Sequence, residues 1–304
     1  MKRILITGAT GLVGQEIVKQ CLAKNIHVNY LSTSKSKLEN KPNYKGFYWN
    51  PSLGEIDVNC FHKVDTIINL AGATIAKRWT QVYKEEIKNS RVNSLKLLYK
   101  TIESKNISLK HIISASAVGI YPDSLTHYYE EDFKDFDDRF LAKVVTSWEN
   151  EADQFKSLNI KVSKIRIGIV LSEKGGALPQ LVKPIRWFVG SALGSGNQWQ
   201  SWIHIDDLIQ MIDYCLINKL EGCFNATAPN PVQQRTLIKT IAKRLRVPQF
   251  LPGIPKFVMA FALGEMHQVL YESVWATPKN VLDQRFSFQF PDISSCVYDL
   301  MKPK

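Results

Sequence analysis

A short apolar run, RILIT at residues 3–7, leads into Gly8, Gly11 and Gly14, spaced at intervals of three within the stretch TGATGLVGQEIV. No other stretch restricts the possible folds so tightly. A strand that turns through glycines into a helix offers that helix's first N–H groups, and the positive end of its dipole, to an anion. Gly8 permits the sharp turn. Gly11 lets a pyrophosphate approach the backbone with no Cβ in the way, and Gly14 lets the helix sit close to the sheet. Thr10, Leu12 and Val13 supply the intervening backbone. With a strand before it and a helix after it, the pattern has the context a dinucleotide-binding turn requires.

The rest of the chain supports a sheet into which such a turn would fit. Strands are expected at Arg3–Thr7, His27–Leu31, Phe47–Trp49, Thr66–Leu70, His111–Ser114 and Lys161–Ile167. Helical patterns are expected over Leu12–Ala23, Thr80–Ser104 and Phe140–Leu158. Segments such as TIINLAG, HIISAS and VSKIRIGIV are nearly continuous in apolar residues, as strands covered on both faces are. Strands alternating with helices imply βαβ units. The fold class is therefore α/β, a Rossmann-type doubly wound parallel sheet, with ligands at the carboxyl ends of the strands. After about residue 170 glycine and proline become frequent, and helices at Asp206–Asn218, Gln233–Leu245 and Pro255–Leu263 follow with short links. The expected division is a dinucleotide domain over 1–170, which also receives part of 200–230, and a smaller, mostly helical lobe over 171–304.

Composition excludes several classes. No apolar run approaches the ~20 residues that span a bilayer. Five scattered cysteines, Cys21, Cys60, Cys215, Cys223 and Cys296, have no metal-ligand spacing, and their odd number argues against a disulfide framework. No metal site and a reducing, cytoplasmic setting are expected. The net charge of +11 is spread over dispersed lysines and has no aromatic-basic interleaving, so neither a nucleic-acid nor a membrane partner is expected.

The end of the second strand, LSTSKSKL, carries no Asp or Glu of the kind that binds the ribose 2′-OH of NAD. Ser32 and Thr33 offer hydroxyls, while Lys35 and Lys37 offer cations for a 2′-phosphate, which favours NADP.

The glycine spacing, Thr7–Gly8 and Asn69-Leu70-Ala71-Gly72 resemble the extended short-chain dehydrogenases/reductases. NLAGATIAKRW, EEIKNSRVNS, SASAVGIYPD, SWIHIDDL, NATAPNPV and FLPGIPKFVMAFALGEM resemble more narrowly the atypical epimerase family of that superfamily, across nearly the whole chain. The resemblance implies a short family-specific C-terminal domain at about 248–300. It also implies that Ser32, Thr33, Leu70, Ala71, Gly72, Glu86, Arg91 and Val170 surround the cofactor. The family often has arginine where Thr33 stands. Threonine cannot make a bidentate phosphate contact, so the NADP preference rests on Lys35 or Lys37.

Short-chain dehydrogenases use Ser, Tyr and a Lys one helical turn beyond the Tyr to move a proton. Ser116 fits the serine. Where the Tyr–Lys pair belongs stand Phe140 and Val144. The one Tyr-x-x-x-Lys in the chain, Tyr298 to Lys302, lies at the far C-terminus. Three substitutes are open: Tyr121 just beyond Ser116, Lys143 in the right helix but one residue off the face, and His204, whose pKa lies near neutrality. Each has a structural alternative as a packed tyrosine, a solvated lysine or a hydrogen-bonded histidine. Arg166 could meet an anionic substrate or simply pair with a carboxylate. Asp206 and Asp207 read as first-turn carboxylates of a helix. The expected function is an NADP(H)-binding oxidoreductase or epimerase-like enzyme of a small-molecule substrate. A non-catalytic NADP-sensing protein is the alternative.

Overall fold

The computed structural model describes residues 3–302. Seven parallel strands, with two short antiparallel ones at the far edge, form the central sheet: β1 (Arg3–Thr7), β2 (His27–Ser32), β3 (Tyr44–Asn50), β4 (Thr66–Asn69), β5 (His111–Ala117), β6 (Lys161–Ile167) and, after strands that lie outside the sheet, β9 (Gly222–Ala226). Their spatial order is β9-β6-β5-β4-β1-β2-β3. The connections run outward in both directions from the β1/β4 junction. That junction is the switch point, where a crevice opens at the strands' carboxyl ends.

Helices cover both faces. On one, α1 (Leu12–Ala23) buries Ile17, Val18 and Cys21 against the sheet and against Leu208, Ile212 and Leu216 of α5 (Ile205–Asn218). On the other, α2 (Gln81–Ser104) and α3 (Phe140–Asp153) bury Leu95, Leu98, Ile102 and Trp148. Fully burying each such aliphatic side chain is worth roughly 1.5–3 kcal/mol. β1 and β4 lie between these layers, and of their nine residues only Arg3 is not fully buried, as their unbroken apolar patterns require. β3 alternates instead, burying Phe47 and Trp49, because it is the outermost parallel strand.

The edge strand Gly222–Ala226 and the pair at Ile169–Ser172 and Trp202–His204 are not among the strands expected from the sequence; the other differences fall at element ends. Thr80 is not helical; its hydroxyl caps α2 by accepting the Tyr83 N–H at 3.1 Å. The helix expected to reach Leu158 ends at Asp153 and tightens into a 3₁₀ turn over Gln154–Leu158.

The C-terminal lobe packs α4 (Ala177–Arg186), α6 (Gln234–Leu245) and α8 (Ile293–Leu300) around Leu178, Ile185, Leu237, Ile241, Cys296 and Val297. Between α6 and α8 runs α7 (Lys256–Leu263), whose Phe257 and Phe261 are exposed. The lobe is stitched to the sheet. Strand β7 (Ile169–Ser172) pairs with β8 (Trp202–His204), and the buried Asp207 carboxylate accepts the N–H groups of Gln289 and Phe290 at 2.7 and 3.0 Å. Asp207 is thus a latch for the C-terminal segment rather than a helix cap. Among the described residues no helix is long and apolar enough to cross a membrane.

Candidate dinucleotide and catalytic site

The cradle begins where β1 meets β4. Thr7 donates its hydroxyl to Asn69 Oδ1 at 2.7 Å and accepts the N–H groups of Leu70 and Ala71, each at 3.1 Å. One side chain therefore pins the Leu70-Ala71-Gly72 loop beside Gly8. Gly8 sits at φ +71, and a Cβ there would lie 2.9 Å from the Leu70 carbonyl, so glycine is required twice over. A Cβ on Gly14 would lie 2.2 Å from the Gly8 carbonyl oxygen and 2.8 Å from Ala9 Cα. Gly14 thus serves the packing of α1 on the turn itself, a closer approach than helix on sheet.

Gly11 differs from both. It caps α1 with an ordinary extended backbone (φ −79, ψ 172), and a Cβ there would meet only the Gly8 oxygen, at 3.3 Å. Its conformation does not demand glycine, and a Cβ would press on that one oxygen alone, which would have to give by a few tenths of an ångström, so the missing side chain chiefly keeps the surface open to something outside the chain. It also leaves α1 with no side-chain N-cap and no acid in its first turn, so the first N–H groups face outward unneutralised. Thr10 and Gly11 are exposed, and Leu12 and Val13 half-buried.

The other expected cofactor residues lie on β2 and its following loop, on the Leu70-Ala71-Gly72 loop, on α2 and on the strand at Ile169–Ser172. Ser32 ends β2, and its hydroxyl oxygen accepts the Ser34 N–H at 3.1 Å. Thr33 and Lys35 are exposed, with the Lys35 ammonium 5.0 Å from the Tyr48 ring centre. The buried Tyr30 fixes this loop by donating to Lys37 O and accepting from Glu39 N, both at 2.7 Å. Val170 lies in β7, whose following turn reaches the start of α1: a Cβ on Gly175 would come within 3.5 Å of Leu12. Arg91 stacks on the Trp148 ring at 5.1 Å and donates to Ala73 O at 3.1 Å, next to Gly72. Burial lowers its pKa to about 10, and no carboxylate pairs with it among the described residues. A half-buried cation without a counter-charge suits a phosphate. Glu86, also expected there, lies exposed on α2 with no hydrogen bond or ion pair among the described residues.

The proposed proton donors lie elsewhere. Ser116 is buried, and its hydroxyl donates to Glu149 Oε1 at 2.6 Å. Arg166 is buried and pairs with a carboxylate. It grips both oxygens of Glu149, Nε to Oε1 at 2.8 Å and Nη2 to Oε2 at 3.0 Å. Tyr121 is fully buried in the same network: it accepts from Arg166 Nη1 at 2.9 Å and donates to Asn225 Oδ1 at 2.8 Å. Burial pushes its phenol well above the usual range, so the geometry makes it a packed network tyrosine. His204 is buried beneath α8. Its Nδ1 accepts the Asp206 N–H at 3.0 Å, its Nε2 lies 3.4 Å from Asp299, and its ring stacks on Phe290 at 3.9 Å. Burial lowers its pKa despite Asp206 and Asp299. It is the N-cap of α5, and its neutral Nδ1 is already engaged. Lys143 is exposed near Asp138. Trp199 stacks on Trp275 at 4.2 Å, and Trp202 is core.

At the position of the missing dyad, Phe140 meets Trp79 edge-on at 5.1 Å, and Val144 is buried beside Ile87, Met266 and Val269. The sequence reading missed one residue here. The Lys84 ammonium lies 5.2 Å from the centre of the Phe140 ring and pairs with Glu265. No local spacing announces it, because α2, α3 and the C-terminal lobe must first meet.

The comparisons agree with this architecture. The model of the NAD dependent epimerase/dehydratase family matches residues 4–225, and a domain of unknown function, DUF1731, matches residues 254–300. An epimerase family protein of Staphylococcus aureus is 37% identical over 303 residues, covering 99% of this chain and 100% of its own. Its Staphylococcus epidermidis counterpart is 36% identical over 303 residues, covering 99% and 100%. Among solved structures, human epimerase family protein SDR39U1 with NADPH is similar at TM-score 0.83 and 26% identity, covering 98% of both chains. A UDP-glucuronic acid 4-epimerase of Bacillus cereus shares the fold at TM-score 0.78 and 16% identity, covering 99% of both chains. With a doubly wound sheet, a glycine cradle at its switch point and matches that run end to end, this chain belongs to the NAD dependent epimerase/dehydratase family, in the group that carries the DUF1731 domain at its C-terminus.

Proposed function

We propose that the protein binds NADP(H) in the β1–α1 cradle and is a cytoplasmic oxidoreductase or epimerase-like enzyme acting on a small molecule. One observation carries this reading: Gly11 is a glycine that its backbone conformation does not require, open to solvent where a pyrophosphate would meet the uncapped start of α1. The acid-free Ser32–Lys37 loop and the unpaired Arg91 support a phosphorylated dinucleotide. The human relative solved with NADPH supports the same choice. The cofactor would supply or accept a hydride. The chain's own residues bind its phosphates, orient it over the crevice and exclude water through the Trp79–Phe140–Val269 cluster.

NADPH is expected to bind at least about tenfold more tightly than NADH, a difference of ~1.4 kcal/mol. Lys35→Ala should narrow that gap by weakening NADPH alone. Tryptophan quenching titrations measure both, and equal affinities for the two cofactors in the wild type would refute the preference.

The proton chemistry must differ from that of ordinary short-chain dehydrogenases, since Phe140 cannot ionise. General acid–base catalysis contributes about 10² to 10⁴ in rate. Turnover of ketones and nucleotide sugars is therefore expected to be slower than usual by roughly that factor. The Lys84 ammonium lies 5.2 Å from the Phe140 ring at the vacated position, so Lys84→Met should remove the residual activity. Tyr121→Phe and His204→Ala should affect stability more than rate. Ordinary turnover that survives Lys84→Met would overturn this assignment. The Phe140 packing also favours a second reading, a non-catalytic NADP sensor. That reading gains if NADPH binds tightly and nothing on a broad panel reacts.

A further inference from the structure

A second cleft, roughly 960 Å³ in volume, opens in the C-terminal lobe between α4 and the C-terminal ends of α6 and α8. It is separate from the cradle. Its floor is apolar, with Leu178, Val182, Leu245 and Leu300, and its rim is strongly basic, with Lys183, Arg186, Arg244, Arg246 and Lys302 against one acid, Glu173. Lys302 is engaged by Asp299 at 2.6 Å. The side chains of Lys183, Arg186 and Arg246 have no hydrogen-bond or ion-pair partner among the described residues.

The plain explanation is that cations end helices, where they suit the dipole. It does not account for Arg244. That guanidinium does not turn back onto the α6 carbonyls. It lies over the Tyr298 ring at 4.5 Å, with Nε and Nη2 shut off from water and without an acceptor. Buried donors left unpaired are costly, more so on a charged group. Nε and Nη2 form the side edge of the guanidinium, whose two parallel N–H bonds match two oxygens of one phosphate. Lys183 and Arg186, three apart on α4, share one face toward the same space. Trp187 also lines the cleft and is 72% exposed, an aromatic surface free to meet a ring. A volume of this size suits a small organic ligand.

We propose that this cleft is a binding site for a nucleoside phosphate, distinct from the dinucleotide cradle. The phosphates are held by Lys183, Arg186 and Arg244, the last after turning on its flexible stem, and the base lies against Trp187. The inference does not rest on the NADP reading.

ADP is the probe, titrated by calorimetry into the Gly11→Asp variant, whose cradle carries an added carboxylate. One ADP site is expected. Lys183→Glu/Arg186→Glu in that background, both exposed changes that leave the core intact, should weaken it at least tenfold, and melting curves verify the fold. Trp187→Ala should weaken it severalfold. Pyrophosphate should compete, and adenosine should bind far more weakly than ADP. Absence of ADP binding, binding unchanged by the double charge reversal, or adenosine binding as tightly as ADP would each overturn the proposal.

Discussion

Gly11→Asp should abolish NADPH binding while leaving the protein folded, with affinity at least about 100-fold lower, ~2.8 kcal/mol. The two halves of this expectation have separate causes. For binding, a side chain at residue 11 enters the pyrophosphate path, and its carboxylate repels phosphate at the positive end of α1. For folding, Gly11 has an extended backbone, and its Cβ meets nothing closer than the Gly8 oxygen at 3.3 Å. Aspartate is also among the preferred N-cap residues, so the melting temperature should hold or rise slightly. Gly14→Ala is the contrast: its Cβ would lie 2.2 Å from the Gly8 oxygen, so it should lose stability as well as binding. Titration by tryptophan quenching beside thermal melting tests both parts. NADPH binding retained within a few-fold in folded Gly11→Asp would remove the cradle assignment.

The second large effect concerns the ion pair under β5 and β6. Glu149→Ala strips the carboxylate that Nε and Nη2 of Arg166 contact and leaves a buried charge uncompensated. Breaking such a pair from one side costs about 3–5 kcal/mol. Against a total stability of about 5–15 kcal/mol, that leaves the domain marginal. Removing both charges in Glu149→Ala/Arg166→Met should cost less than Glu149→Ala alone. Urea unfolding compares them, and a single-mutant loss under about 1 kcal/mol would show that the pair does not hold the sheet to α3.

The same pair sets an acid limit. Burial pushes the Glu149 pKa up, but Arg166, Ser116 and Lys164 together hold it below the usual carboxylate range. A depressed folded value means that the stabilisation is fully present above the unfolded pKa of about 4.3. It is lost as pH falls through the folded value. The wild type should therefore lose this contribution below about pH 4, and the double variant should lack that part of the pH dependence.

Much of the fold could be read in one dimension because its determinants are local. The strand, turn and helix of the cradle occupy residues 3–23, and their chemistry depends on neighbours a few residues apart. The buried strands β1 and β4–β6 announce themselves by unbroken apolar runs, so most of the sheet, the α1–α3 layers and the absence of an acid after β2 follow from the amino-acid order alone, whereas the edge strand β9 does not. The missing Tyr–Lys pair is likewise a matter of which residues stand at 140 and 144.

What the sequence could not decide was where polar side chains are used once distant elements meet. Ser116 finds Glu149 across 33 residues and Tyr121 finds Asn225 across 104, which turns two candidate catalytic groups into parts of a buried network. His204 is spent on capping α5 beneath α8. Lys84 reaches Phe140 only because α2 packs on α3, and Arg244 gains its cleft only because α4 meets the C-terminal ends of α6 and α8. Burial decides each of these outcomes: a hydroxyl, imidazole or guanidinium removed from water must take whatever partner the packing supplies, and that partner comes from a part of the chain that local pattern does not connect to it.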